Sequence, residues 1–101
     1  MTGTTRSSAE LDPRRRRLLF RAWHRGIREM DLVLGSFADR EIATLDDPGL
    51  DEFERILGVD DRDLIRWVVG EIATPDAFDT PLFKRITAFR PETLAMGGTG
   101  R

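Results

Sequence analysis

Apolar residues return every third or fourth position along most of the chain, and strict alternation of apolar and polar residues never persists. The first spacing gathers side chains on one face of a helix; the second would have marked a half-buried strand. The pattern predicts an all-α protein, a small bundle of five helices. The first covers residues 13–24, with Asp12 as N-cap, Pro13 in the first turn, and Leu18, Leu19, Ala22 and Trp23 as its apolar stripe. Gly26 then suits the left-handed position beyond the helix end. The second covers residues 28–43 and aligns Met30, Val33, Leu34, Phe37 and Ala38 behind two first-turn acids, Glu29 and Asp31.

The third helix is expected over residues 48–57, capped by Asp47, opened by Pro48 and stopped by Gly58, with Leu50, Phe53 and Leu57 inward. Asp60 is placed as the cap of the fourth, with Asp63 three residues on in a box-like arrangement and Val59 and Leu64 as a hydrophobic staple. Leu64, Trp67, Val68 and Ile72 are expected to face inward, and Pro75 to end that helix near Thr74. Thr80 and Pro81 open the fifth, whose inner face is Leu82, Phe83, Ile86 and Phe89 and whose stop is Pro91. Connections of two to seven residues suit such a bundle.

Composition narrows the chemistry. A chain of 101 residues points to one domain, and 40% apolar with 34% charged residues suits a globular one. Cysteine is absent, which removes disulfides, thiolate nucleophiles and thiolate metal sites; the one histidine, His24, argues against a histidine metal site and reads as a cation at a helix C-terminus. No stretch of 18 apolar residues is present to span a membrane. Residues 1–12, Ser/Thr-rich and without an apolar h-region, are expected to form a disordered leader. Residues 13–90 form the helical domain and residues 91–101, which end in GGTGR, a flexible tail.

Charge is segregated. Residues 1–28 carry eight arginines against two carboxylates, a net of +6, whereas residues 29–101 carry eight basic and sixteen acidic groups, a net of −8. A basic first helix can bind phosphates, so a small nucleic-acid-binding or regulatory protein is one reading. It can equally be a solvated or protein-contacting face whose long stems cover apolar surface. No Ser/His/Asp order, HExxH, Walker loop or GxGxxG occurs, and five short helices leave little room for a catalytic pocket, so no catalytic residue is assigned and an enzyme is not expected.

The stretch HRGIREMD, residues 24–31, asks for more than a turn. Gly26 strips the main chain of side-chain cover, and Arg25 and Glu29 bracket it with opposite charges. Such a patch can receive a partner's carboxylate on one side and a basic group on the other. The acidic DDRDLIRW, residues 60–67, is explained locally as a cap and a core stripe.

Together these two stretches resemble the SdhE-type FAD assembly factors, also called the succinate dehydrogenase assembly factor 2 family. Arg25, Gly26 and Glu29 match its RGxxE motif, and Asp60 to Trp67 match a later DDxDLxxW step. Trp23 just before the motif and Phe37 after it agree as well. His24 and Ile27 depart modestly: arginine or lysine, and methionine or leucine, are common there. The resemblance covers about residues 13–90. It implies a five-helix bundle that is not itself an enzyme. Such a protein binds the flavoprotein subunit of succinate dehydrogenase, and in bacteria also fumarate reductase, and promotes covalent attachment of FAD to the client without binding the cofactor stably. It implies Arg25, Gly26 and Glu29 as client-binding residues, with Arg28 as their neighbour. The expected compartment is the bacterial cytoplasm, or the mitochondrial matrix in a eukaryote.

Overall fold

Pro13 opens α1 (Pro13–Trp23) in a computed structural model that describes residues 10–89. The Asp12 carboxylate caps that helix by accepting the Arg15 N–H at 3.3 Å, and a side-chain hydrogen bond from Arg15 holds its pKa below the usual aspartate value. Four more α-helices follow: α2 (Arg28–Glu41), α3 (Asp47–Leu57), α4 (Asp61–Val69) and α5 (Pro81–Thr87), with a 3₁₀ turn, Asp76–Phe78, before the last. No strand occurs among the described residues. Most of the expected leader, the whole tail and the Pro91 stop lie outside them. Leu11, assigned to the leader on sequence grounds, packs into the core.

The expected stripes make the core. Leu18, Leu19 and Ala22 of α1 meet Met30, Val33, Leu34, Phe37 and Ala38 of α2, and Ile42 and Leu45 extend that face past its end. Leu50, Phe53 and Leu57 of α3 are buried with Ile56, which the sequence reading did not include, and α5 supplies Leu82, Phe83 and Ile86. α1 packs along α2, α2 also meets α5, and α3 bridges α1 and α5. Phe37 lies at the centre, 5.4 Å from Phe53 and 5.8 Å from Phe89 between ring centroids. Trp23 is half-buried, and its indole lies over Gly35 of α2, with its Nε1–H donating to Asp39 Oδ1 at 3.3 Å.

Five boundaries differ from expectation. α1 ends at Trp23, one residue early, and α5 ends at Thr87, short of Pro91, so that Phe89 packs from beyond the helix. Three more lie between them. α2 stops at Glu41 rather than near residue 43. The α3 cap is Asp46, whose carboxylate accepts the Gly49 N–H at 2.9 Å, so Asp47 begins the helix and Pro48 follows it. A cap one residue earlier still leaves Pro48 where its missing N–H has no helical partner to lose. The largest difference is at α4, which ends at Val69 and not near Thr74. Gly70 takes φ 83°, and the Gly70, Glu71 and Ile72 N–H groups turn back onto carbonyls of Arg66 and Trp67. That closure satisfies the terminal carbonyls before Pro75 has any say. Ile72 consequently leaves the inner face and is 42% exposed. At the start of α4, Asp60 caps through the Arg62 N–H, at 3.2 Å. Thr80 caps α5 as expected, its Oγ1 accepting from Phe83 N at 3.1 Å.

The cap at α3 gives a direct test. Asp46→Ala is expected to lower unfolding free energy by about 1 kcal/mol, the usual worth of an aspartate N-cap, with Asp47→Ala costing less than half as much. Urea denaturation of the two variants reads the difference; equal losses would return the cap to Asp47.

Candidate functional site

The chain between α1 and α2 is built by opposing demands. His24 ends α1, its N–H donating to Arg21 O at 3.4 Å and its ring Nδ1 standing 2.8 Å from the Phe20 carbonyl oxygen. Gly26 then takes φ 97°, and a Cβ placed there would meet nothing within 4 Å. The left-handed backbone, not lack of space, is what requires glycine. Ile27 starts α2 without a side-chain cap of its own. Asp31, read from the sequence only as a dipole partner, closes the turn instead by accepting the Arg25 N–H at 2.7 Å.

The two charged members of RGxxE part company. Glu29 is exposed, with Gly26, Ile27 and Arg28. The Arg25 side chain turns inward and is only 10% exposed. Its Nε–H donates to Asp61 Oδ1 at 2.5 Å, and its two terminal nitrogens donate to the carbonyl oxygens of Leu57, at 2.5 Å, and Val59, at 2.6 Å. Leu57 is the last residue of α3 and Asp61 the first of α4. The guanidinium therefore caps the end of one helix and pairs with the start of the next. A helix end leaves carbonyls without partners, and a planar, five-donor, always-charged group serves several at once. Of the residues assigned to a partner from sequence, Gly26 offers bare main chain and Arg28 and Glu29 offer charge; Arg25 holds the surface they stand on. Neither Arg28 nor Glu29 forms an ion pair among the described residues.

Arg15 repeats the device one helix away. Its Nε–H donates to Ile42 O at 2.9 Å and another nitrogen to Leu45 O, just past the end of α2, while a third meets Asp12. Arg14 bridges to Asp51 and Glu54 of α3 at 2.7 and 3.0 Å, hydrogen bonds that raise its pKa further. Much of the segregated charge is thus engaged inside the fold.

Asp61 is the residue sequence reasoning left without a role. DDRDLIRW was read as a cap and a stripe, and Asp60, Leu64 and Val68 do act so. The only signal for Asp61 was the co-occurrence of the two motifs, which the Arg25–Asp61 pair now joins across 36 positions of chain.

What this arrangement offers chemically is recognition. No group of three or more His, Asp or Glu side chains among the described residues is placed to hold a metal ion. No helix among them is long and apolar enough to cross a membrane. The exposed edge of Gly26 to Glu29 presents main-chain groups, one guanidinium and one carboxylate on a rigid support, a set that can hydrogen-bond to another polypeptide.

Comparison with known proteins agrees with the two motifs. A family described as "Flavinator of succinate dehydrogenase" (Sdh5) matches residues 16–90. The FAD assembly factor SdhE of Acetobacter pasteurianus is 38% identical over 76 residues, covering 75% of this chain and 70% of that protein. The mitochondrial succinate dehydrogenase assembly factor 2 of Dictyostelium discoideum is 32% identical over 78 residues, 77% of this chain and 55% of its own length. That of Arabidopsis thaliana is 32% identical over 71 residues, 69% of this chain and 38% of its own. The chain thus spans most of the bacterial relative but about half or less of these two mitochondrial ones. No solved structure matches it.

Proposed function

Because this chain belongs to the family of succinate dehydrogenase flavinators, we propose that it binds the flavoprotein subunit of succinate dehydrogenase and promotes covalent attachment of FAD to it. Fumarate reductase is the natural second client, since its flavoprotein poses the same assembly problem. The observation that carries the reading is the exposed edge from Gly26 to Glu29, held from behind by the Arg25 guanidinium. The family assignment favours this reading over nucleic-acid binding. So does the engagement of Arg14, Arg15, Arg21 and Arg25 with carboxylates of the same chain, which leaves fewer guanidiniums for phosphates.

The mechanism is selection of a client conformation. A binding protein raises the population of whichever client state it prefers, by its differential affinity and no more. Flavinylation joins a client side chain to the isoalloxazine ring, so the client must hold cofactor and acceptor in reactive geometry. Orientation of that kind is worth several kcal/mol of barrier. In this reading FAD remains the client's ligand, is not kept by the assembly factor, and the factor supplies no reacting group. Bacterial and mitochondrial relatives suggest where it works: the cytoplasm in a bacterium, the matrix in a eukaryote.

Glu29→Gln is the selective test. Gln preserves shape and helix propensity while removing the charge, so the unfolding midpoint should fall only slightly, by the roughly 0.3–1 kcal/mol that a first-turn carboxylate contributes. Losing one charge-assisted contact to the client corresponds to about tenfold or more in client binding. Purified chain, FAD and cofactor-free flavoprotein subunit are combined, and flavin fluorescence is read on the denatured subunit. A variant as effective as wild type would remove Glu29 from the contact. A client fully flavinylated in cells that lack this chain would remove the function.

A further inference from the structure

The outer face of α1 is where the fold leaves positive charge over. Among the seven arginines between residues 14 and 28, Arg14, Arg15, Arg21 and Arg25 meet carboxylates. Arg16, Arg17 and Arg28 form no ion pair among the described residues. Arg16 and Arg17 share a shallow concavity with Pro13, Phe20 and Arg21. A second concavity, lined by Phe20, Arg21, His24, Arg25 and Asp61, adjoins it through Phe20 and Arg21. It leads to Arg25, the residue before the exposed corner.

Phe20 is the singular feature of that face. It is 62% exposed, more than any other large apolar residue described. It is also held in place: its ring stacks on His24 with centroids 3.9 Å apart and planes 16° from parallel. A fixed, exposed aromatic ring beside Arg17, and beside Arg16, whose guanidinium donates to the Leu11 carbonyl at 2.8 Å but meets no carboxylate, is the composition of a contact hot spot, where aromatic residues and arginine are enriched.

We propose that this ledge receives an acidic segment of the client flavoprotein, with one apolar side chain seated against Phe20 and carboxylates paired with Arg16 and Arg17. The proposal rests on the reading that the chain binds that subunit, and it extends the contact from the Gly26–Glu29 corner back along α1. Charge favours a short acidic peptide over a long polyanion. Residues 29–101 carry a net of −8, so a duplex or an anionic membrane reaching beyond the ledge is repelled by the rest of the body, while a segment confined to the ledge is not.

Calorimetric titration of the full chain into cofactor-free flavoprotein subunit, at three salt concentrations, tests the proposal. Phe20→Ser is expected to weaken binding about tenfold or more, as loss of a central aromatic contact does. The double variant Arg16→Glu, Arg17→Glu is expected to weaken binding most at low salt and to flatten its salt dependence. Ile72→Ser, which alters an apolar residue exposed beyond the end of α4, is expected to bind as wild type does. Wild-type affinity in both ledge variants overturns the proposal while leaving the client reading intact. Loss of binding to duplex DNA or to phosphatidylserine vesicles in those variants, with client affinity unchanged, overturns the choice of partner. Failure of the wild-type chain to bind the subunit removes the premise, and this surface with it.

Discussion

Arg25→Ala is expected to destabilise the protein by about 3 kcal/mol, because it strands the Asp61 carboxylate and the Leu57 and Val59 carbonyls that the guanidinium serves. For a domain of this size that is roughly 12 °C or more in melting temperature. The figure follows from the asymmetry of deletion. A formed hydrogen bond contributes modestly, but a buried charge left without its partner costs much more. Asp61 is 22% exposed, so water offsets part of the loss, and the estimate sits at the low end of the range for buried pairs. Arg25→Lys keeps the charge but cannot present a planar fork to three acceptors, and should recover less than half of the loss. Chemical denaturation of the three proteins decides it. Arg25→Ala melting at the wild-type temperature would mean that the corner does not depend on this side chain. The contrast with Glu29→Gln separates two roles within one motif: one variant loses the shape of the surface, the other a charge on it.

Gly35→Ala should also destabilise, against the rule for helix interiors. On propensity alone, alanine in the middle of α2 gains about 1 kcal/mol over glycine. But a Cβ at Gly35 would stand 2.2 Å from Trp23 Cδ2 and 2.4 Å from Cε2, far inside contact distance. These are ring-fusion atoms of an indole whose Nε1–H is held by Asp39, so the ring must leave as a body. Overpacking of this kind costs about 1–3 kcal/mol before any propensity gain, and the displaced indole forfeits burial as well. The expected net is a loss of about 2 kcal/mol, and the sign alone is diagnostic. Trp23→Leu makes room, so Gly35→Ala in that background should become neutral or stabilising. A double-mutant cycle measures the coupling; additive effects would show that the indole does not lie on the glycine.

Legibility in the sequence followed the physics of each signal. Periodicity read the stripes of α1, α2, α3 and α5 almost residue for residue, because burial of one helix face constrains many positions at once. It misplaced the end of α4, where two stop signals compete. Pro75 forbids continuation only at its own step, while Gly70 permits a left-handed closure five residues earlier, and the earlier one acts first. Arg25 shows a different limit. Its place in RGxxE was visible, but whether an arginine at a helix end faces solvent or a neighbouring helix depends on where α3 and α4 come to rest. That is a tertiary fact with no local signature. The same holds for Phe20, whose exposure is set by what fails to pack on α1. The basic segment, legible as charge, could not be resolved from sequence into arginines that clamp helix ends and arginines left over.

The bonds of Arg25 and Arg15 reach across roughly thirty positions of chain or more. Contacts within one helix are local, whereas closure between distant segments carries the larger entropy cost. A nascent chain that has made α1 and α2 but not yet docked α3 and α4 has the letters RGIRE without their shape. The corner acquires its form only when the far end of the bundle arrives. If that corner makes the client contact proposed above, recruitment is tied to completion of the fold.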